Sequence, residues 1–246
     1  MREKYVVLRT KELLAPTIER VGAAAPRMRR AGDAPQTIEL SESQLSQAER
    51  ADLRRDPRTQ AIALSMPMKL IKPVADAEPS NETGSSTWGL AAVGADSSPF
   101  SGQGVNVAVL DTGIDAGHPA FAGVPMVQRN FTAESSDDTN GHGTHCAGTI
   151  FGQDVNGLRI GVARGINKAI IGKVLGAGGG GSAEIAQAIN WAAAEGAHII
   201  SMSLGIDFPG YVNRLVGQSL PIQAATSLAL EGYRANINLF TQLARL

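Results

Sequence analysis

Two short segments of the chain combine residue types that could carry out acid–base chemistry. In "VNVAVLDTGID", Asp111 follows an apolar run and precedes a glycine turn. In "NGHGTHCAGT", His142 and His145 stand three residues apart among small residues. An aspartate that holds one ring nitrogen of a histidine leaves the other nitrogen free to take a proton from a nucleophile. The two segments therefore favour a hydrolytic site built on Asp111 and His142.

Other chemistries for the second segment are less consistent with its spacing. Zinc-binding helices usually place two histidines four residues apart with a glutamate between them, and they need a third ligand. Here Gly143 and Thr144 separate the histidines, so we predict no metal. A nucleophilic cysteine needs direct contact with its base. Four residues along a small-residue helix, Cys146 is expected to be either an inert core residue or a reactive thiol without a catalytic role.

Three apolar runs predict the strands that must position these residues. They are "VNVAVL" (105–110), "KAIIGKVL" (168–175) and "AHIISMSL" (197–204). Such runs are typical of strands buried on both faces of a parallel sheet. Asp111 would then lie beyond the carboxyl end of its strand, where functional groups of open parallel sheets collect.

A helix is predicted between the last two of these strands. Ser182 is the expected N-cap and Gly196 the expected end. Its apolar face is expected to consist of Ile185, Ile189, Ala192 and Ala193. The strand–helix–strand order implies a right-handed parallel crossover.

The chain divides into three regions by composition. Residues 1–75 alternate between strand and helix patterns and predict a small α+β unit. Residues 76–87 are rich in Ser, Thr and Glu and predict an exposed linker. Residues 88–246 predict a larger α/β domain.

Within the first region, three strands and one helix are expected. The strands are "KYVVLR", "TIELSE" and "TQAIALSMPMKLI". The helix lies in "SESQLSQAERADLRRD", with Ser41 and Gln44 as a capping box and Pro57 as its stop. The segment "TKELLAPTIERVG" is helical or irregular, since Pro16 interrupts it.

Charge and composition exclude several functional classes. The net charge of −1 disfavours nucleic-acid binding. No apolar stretch is long enough for a membrane span, and no signal peptide is visible, so the sequence alone predicts a cytoplasmic chain without a membrane partner. Residues 1–73 have a net charge of +5 and residues 74–246 a net charge of −6, and these opposite charges favour docking between the two parts. The single cysteine excludes an internal disulfide.

Several linked motifs together carry a family resemblance. "DTGID", "NGHGTHCAGT", "GVAR", "KVLGAGGGGS" and "INWAAAEGAHIISMSLG" follow one another over about residues 88–205. In this order and spacing they resemble the subtilisin-like serine peptidases (subtilases), and the cysteine after the second histidine resembles the proteinase K branch. The resemblance implies an endopeptidase with an Asp–His–Ser triad, on a partial doubly wound parallel-sheet α/β domain.

The resemblance also implies roles for individual residues. Asp111 would orient the imidazole and His142 would act as general base, with His145 and Cys146 as structural neighbours. An extended polypeptide substrate would pair through its backbone with two segments, Gly178, Gly179 and Gly180 on one side and Ser203, Leu204 and Gly205 on the other. Residues 1–75 resemble a ferredoxin-like propeptide that docks on the catalytic domain, with the stretch after "SMPMKLIKP" in the groove. The resemblance also implies that the protein is secreted, which differs from the cytoplasmic location predicted from the lack of a visible signal peptide.

Three features depart from the family pattern. No "GTSMA"-like motif carries a nucleophile; the nearest string, "ATSLA" around Ser227, lies in a helical pattern. The Gly-Asn that supplies the side-chain oxyanion donor is also missing. Many members of the family have an acidic residue after "HP" that binds calcium. Here that position is Ala120, so no cofactor is predicted.

These departures lead to two expectations about function. The first is a subtilase chain truncated before its nucleophile and inactive alone. The second is a non-enzymatic inhibitor, binding module or pseudoenzyme fragment. The remaining candidates are expected to be structural. His118 and His198 belong to no recognisable catalytic motif. Asp137 and Asp138 are expected to be turn residues that at most help to position the histidine loop.

Overall fold

The computed structural model describes residues 2–11, 38–71 and 85–245. All of the segment "TKELLAPTIERVG" after Lys11 and most of the expected linker at 76–87 lie outside these ranges, so the domain boundaries remain predictions. The N-terminal part contains strands β1 (Glu3–Thr10), β2 (Ile38–Leu45) and β3 (Thr59–Leu64), in an antiparallel sheet of order β2-β1-β3. Its helix is α1 (Gln47–Arg55).

Helix α1 begins later than its sequence pattern predicts. Residues 38–45 pair with β1 over their whole length, so Ser41 lies within a strand and the capping box at Ser41 and Gln44 is wrong. The observed box is formed by Ser46 and Glu49, each side chain bonded to the backbone N–H of the other. The side chain of a glutamate three residues after the N-cap is long enough to accept the second hydrogen bond of the box, from the backbone N–H of the N-cap residue.

The predicted single strand at 59–71 is divided into β3 and β4 (Pro67–Leu70), which belong to different sheets. The division occurs at Met66, whose side chain is fully buried. It packs against helices α5 (Phe208–Gly217) and α6 (Ile222–Leu243), which lie far away in sequence. Burial of one methionine side chain is worth about 1.5–3 kcal/mol, which favours the turn at this position.

The larger part of the molecule is built on a four-stranded parallel sheet, which confirms the α/β class. Its strands are β5 (Asn106–Asp111), β6 (Met126–Asn130), β7 (Lys168–Lys173) and β9 (Ile199–Ser201), in the order β6-β7-β5-β9. Helix α3 (His142–Phe151) packs on one face, against Val107 and Val109. Helix α4 (Ser182–Ala194) covers the other face through a core that contains Leu110. The strand that carries Asp111 is therefore central and covered on both sides.

Helix α4 confirms the predicted crossover but not all of its details. Its N-cap is Gly181, because the Ser182 hydroxyl accepts a hydrogen bond from Met66 N at 3.0 Å. Ile185, Ile189 and Ala192 are buried as predicted, whereas Ala193 is exposed.

The last predicted strand is also divided, into β9 and β10 (Leu204–Ile206). Two short elements complete the N-terminal half of the sheet region: α2 (Trp88–Ala92) and a 3₁₀ turn at Pro119–Phe121. The helical pattern around Ser227 is confirmed by α6, on which Ser227 is exposed. Within the described ranges, no helix has the length and apolarity needed to cross a bilayer.

The N-terminal sheet and the parallel-sheet region share one core. Val6 and Leu8 of β1 belong to the same buried cluster as Leu110 and Ile185. At the edge of this contact, Lys4 Nζ lies 2.6 Å from Glu184 Oε1 of α4. The two parts are therefore packed together through both apolar and charged groups.

Candidate active site

Asp111 and His142 form a hydrogen-bonded pair at the carboxyl end of β5. Asp111 is 1% exposed, and its Oδ1 accepts a hydrogen bond from Thr112 N at 2.7 Å. The same oxygen lies 2.9 Å from His142 Nδ1. Because a carboxylate can only accept, Nδ1 is the donor, and in the neutral ring Nε2 carries the lone pair, with Cys146 Sγ 3.9 Å away. This arrangement can remove a proton from a group placed beside Nε2.

His142 is the first residue of α3, and its side chain is 14% exposed. The preceding Gly141 has φ +83°, a backbone conformation that favours glycine and turns the chain into the helix. The imidazole is thus held by the start of a rigid element, and a small part of its surface remains accessible.

Close packing of α3 against the turn after β5 sets the distance between the pair. A Cβ atom on Gly143 would lie 2.2 Å from the carbonyl oxygen of Gly113 and 3.2 Å from Cβ of Asp111. Only glycine permits this approach, because real Cβ atoms do not come within 3.0 Å of such groups. The glycine of the "HGTH" motif is therefore required for the contact between helix and strand.

Asp138, expected to be a turn residue, binds the first turn of α3. Its Oδ2 accepts hydrogen bonds from Thr144 N at 2.9 Å and Thr144 Oγ1 at 2.6 Å, and its Oδ1 accepts one from Gly141 N at 2.9 Å. Burial alone would raise the pKa of Asp138, but the hydrogen bonds from Thr144, Thr112 and Gly141 outweigh it and lower the pKa below its ordinary value of 3.8.

This lowered pKa predicts an acid-sensitive contribution to stability. The ionised Asp138 stabilises the fold above pH 3.8, and the contribution is lost as the pH falls through its lower folded-state pKa. We expect the difference in unfolding free energy between wild type and Asp138→Asn to shrink as the pH falls below 3.8, measured by urea denaturation across that range. Asp137→Asn is the matched control, because the Asp137 side chain is exposed. A difference for Asp138→Asn that stays constant with pH would contradict this role.

Cys146 is half-buried, and it packs against the core that contains Val107 and Val109 while also lying beside the pair. Its Sγ is 3.6 Å from His142 Nδ1 and 3.8 Å from Ser203 Oγ, so the expected core position is only part of its environment. One helical turn along α3 brings the two side chains onto the same face. Burial raises the pKa of the thiol, and the charges of Asp111 and Asp138 add to this effect. A thiol in this setting is a poor nucleophile at neutral pH, since the thiolate is the reactive form.

Asp111, His142 and Cys146 also offer ligand atoms that lie within 4.8 Å of one another. However, Nδ1 of the histidine and Oδ1 of the aspartate already satisfy each other at 2.9 Å. A metal bound through these two atoms would have to break this hydrogen bond. Ala120, the position considered above for a calcium ligand, is buried in the 3₁₀ turn and has no side-chain oxygen.

A groove lies next to the pair and is filled by β4. Strand β4 pairs with β10 on one side and with β8 (Gly180–Gly181) on the other, in an antiparallel sheet of order β10-β4-β8. On one side Leu70 lies opposite Leu204 and Lys69 opposite Gly205. One residue further, Ile71 N donates a hydrogen bond to Ser203 O at 3.1 Å.

The glycine-rich wall of this groove leaves room for a backbone. Met68 pairs with Gly180, and a Cβ on Gly179 would lie 2.5 Å from Met68 O. Gly179 has φ +89°, which side-chain-bearing residues rarely adopt. Gly178 does not pair with β4 and lines a cleft of about 830 Å³ that adjoins it. All six residues expected to bind a peptide therefore surround β4 or this cleft.

His118 and His198 accept hydrogen bonds from backbone groups, which are structural contacts, whereas His145 faces solvent. Nδ1 of His118 accepts a hydrogen bond from Ala120 N, and Nδ1 of His198 accepts one from Asn106 N. His145 is exposed and lines a second cleft, which also contains Trp88. Sequence reasoning missed Thr112, whose hydroxyl bonds both Asp138 and Gly143 N. Its position directly after Asp111, at the end of a buried strand, was the signal available.

Comparison with known proteins identifies the family of the chain. Residues 102–236 match the profile of the subtilase family. The chain is 31% identical over 199 residues to alkaline serine exoprotease A of Vibrio alginolyticus, covering 76% of this chain and 34% of that protein. It is 42% identical over 111 residues to the major intracellular serine protease of Bacillus subtilis, covering 42% of this chain and 35% of that protein.

A further relative is an alkaline protease of Shouchella clausii, 40% identical over 141 residues, covering 54% of this chain and 36% of that protein. The chain thus spans about a third of the length of these curated relatives. Among solved structures, a cold-adapted subtilisin-like serine proteinase is 29% identical, over 55% of this chain and 45% of that one, with a TM-score of 0.37.

Proposed function

Because the chain belongs to the subtilase family, we propose that Asp111 and His142 are the acid–base pair of a serine endopeptidase. The observation that carries the proposal is their 2.9 Å hydrogen bond, formed beside a groove that already holds an extended strand. In this reaction His142 Nε2 takes the proton of a serine hydroxyl as its oxygen attacks the peptide carbonyl. The same nitrogen then gives that proton to the leaving amine, and water releases the acyl group by the reverse steps.

Asp111 supports each step without gaining a proton. Its Oδ1 fixes the tautomer in which Nδ1 carries hydrogen, and its charge stabilises the imidazolium that forms. The carboxylate is 1% exposed, so solvent screens this interaction only weakly. Since residues 1–246 contain no "GTSMA"-like motif, we place the serine outside them and expect residues 1–246 alone to be inactive.

The substrate in this proposal is an extended polypeptide. The backbone bonds that hold β4 between β8 and β10 are the same bonds that a substrate strand would form, which is recognition by strand addition. Backbone pairing reads few side chains, and we therefore propose broad sequence specificity. Residues 1–75 would act as a docked propeptide whose strand β4 occupies the groove.

An extended chromogenic peptide tests the proposal on two samples. The full-length protein, freed of residues 1–75, is expected to hydrolyse it, and purified residues 1–246 are not. Hydrolysis by residues 1–246 at protease-like rates would disprove the placement of the serine. A full-length protein that leaves the peptide intact would disprove the proposed activity.

The position of β4 also favours a second candidate function, that of a non-enzymatic inhibitor. Residues 1–75 would then block the groove of an intact subtilase. The test is inhibition of such an enzyme by residues 1–75 at micromolar concentration, with Met68→Asp as control because Met68 is 4% exposed in the groove. Equal inhibition by both forms, or by neither, would count against this candidate.

A further inference from the structure

The carboxylate of Asp138 reaches beyond its own turn to the residue that follows Asp111. Thr112 Oγ1 lies 2.8 Å from Asp138 Oδ1 and 2.9 Å from Gly143 N. The Asp138 carboxylate can only accept, so the Thr112 hydroxyl donates its proton to it and turns a lone pair towards Gly143. Thr112 therefore connects Asp138 to the second residue of α3.

The same carboxylate fills the place of a missing helix cap. The N-cap residue of α3 is Gly141, which has no side chain to accept the free amides of the first turn. Asp138 accepts from Gly141 N and Thr144 N instead. A negative charge at this end of a helix is also favoured by the helix dipole.

Thr144 extends these contacts to a third segment. Its hydroxyl donates to Asp138 and accepts a hydrogen bond from Asp115 N at 2.8 Å. One half-buried carboxyl group thus ties together the turn after β5, its own loop and the start of α3. These are the elements that carry Asp111 and His142, although Asp138 bonds to neither side chain.

We propose that Asp138 is a positioning residue that sets the separation between Asp111 and His142. The inference rests on the proposed function of that pair. Without the carboxylate, Thr112 loses its acceptor and the first turn of α3 loses its cap, so the helix can shift relative to β5. A shift of about 1 Å at reacting groups lowers a rate on the order of 10²-fold.

The proton that His142 Nδ1 donates to Asp111 reports this separation directly, as a low-field NMR signal. We expect this signal in the unmodified chain of 246 residues and its loss or a marked upfield shift in Asp138→Asn. Asp137→Asn, which removes an exposed carboxylate one residue away, should leave the signal in place. A wild-type signal in Asp138→Asn, or equal loss in Asp137→Asn, would overturn the inference.

A second pair of variants keeps the test decisive if Asp138→Asn does not fold. Thr112→Val removes the connection and keeps the Asp138 charge, whereas Thr112→Ser retains the hydroxyl. We expect the signal to be lost or shifted in the first and kept in the second. The same behaviour in both variants would overturn the inference, because a hydrogen bond that sets the separation must distinguish them.

Kinetics of the full-length protein separate this inference from the proposed function. Asp138→Asn should lower kcat about 10²-fold with little change in KM. If wild type is inactive, the proposed function fails while the NMR comparison still tests the positioning role. If wild type is active and Asp138→Asn keeps full kcat, the positioning role fails and the proposed function stands.

Discussion

Replacing His142 by alanine should lower kcat of the full-length protein on an extended peptide by about 10⁶-fold. In the proposed mechanism the imidazole takes the proton from the nucleophile, and its Nδ1 is fixed on Asp111 at 2.9 Å. Cys146 cannot replace it as a base. Burial raises the pKa of the thiol, so the thiol keeps its own proton at neutral pH and cannot accept another. KM should change little, since the groove binds the peptide through backbone groups of other segments. Initial rates over a range of peptide concentrations measure both constants.

Two further variants show whether the loss belongs to the pair. Asp111→Asn should cost about 10⁴-fold in kcat, because the amide permits the wrong tautomer of His142. His198→Ala is the matched control: it removes an imidazole at the opposite end of β5, where His198 bonds Asn106 N. We expect its kcat to match wild type. A His142→Ala variant that keeps a substantial part of the rate would exclude His142 as the base.

Replacing Gly143 by alanine is expected to reduce both stability and activity, although alanine normally stabilises a helix. The added Cβ would lie 2.2 Å from Gly113 O, so α3 must move away from the turn after β5. Overpacking of this kind costs about 1–3 kcal/mol. The shift also separates His142 from Asp111, which should lower kcat by at least about 10²-fold. Urea denaturation and steady-state kinetics measure the two effects.

Gly148 provides a control on the same helix. A Cβ at this position would have no neighbour within 4 Å, so Gly148→Ala should gain the usual helix preference of up to about 1 kcal/mol. If the free energy of unfolding falls in Gly143→Ala and rises in Gly148→Ala, then the helix–strand contact, rather than helix propensity, explains the need for glycine at position 143. Stabilisation by both substitutions would contradict the close packing of α3 on the turn.

The strands and the acid–base pair could be predicted because their signals are local. A continuous apolar run such as 105–110 indicates a strand buried on both faces, and a polar residue at its end lies at the edge of the sheet. The small residues after His142 likewise predict a helix that can pack deeply. The structure brings Asp111 and His142 together through these elements.

The ends of elements could not be predicted, because they depend on partners that are distant in sequence. Ser41 and Ser46 are equally good caps locally, and only the pairing of β2 with β1 excludes the first. Ser182 loses its role as a cap because Met66 donates to its hydroxyl across 116 residues. The break between β3 and β4 depends on the same methionine and the pocket that receives it.

Of the supporting residues, Thr112 was missed for the same reason, and Asp138 was expected to be a turn residue that at most helps to position the histidine loop. Thr112 and Asp138 are ordinary turn residues by composition, and their hydrogen bond spans 26 residues. Nothing in either local pattern indicates that the other is its partner. The contact of Cys146 with the imidazole, by contrast, was within reach of sequence reasoning, because residues four apart on one helix lie on the same face.

Labelling with a fluorophosphonate tests the central claim most directly, because this reagent reacts with a serine only when a neighbouring base activates it. In the full-length protein freed of residues 1–75, mass spectrometry should find one modified serine, and His142→Ala should abolish the modification. Cys146→Ala should leave it intact. Labelling that persists in His142→Ala, or that occurs on Cys146, would contradict the claim that Asp111 and His142 activate a serine nucleophile.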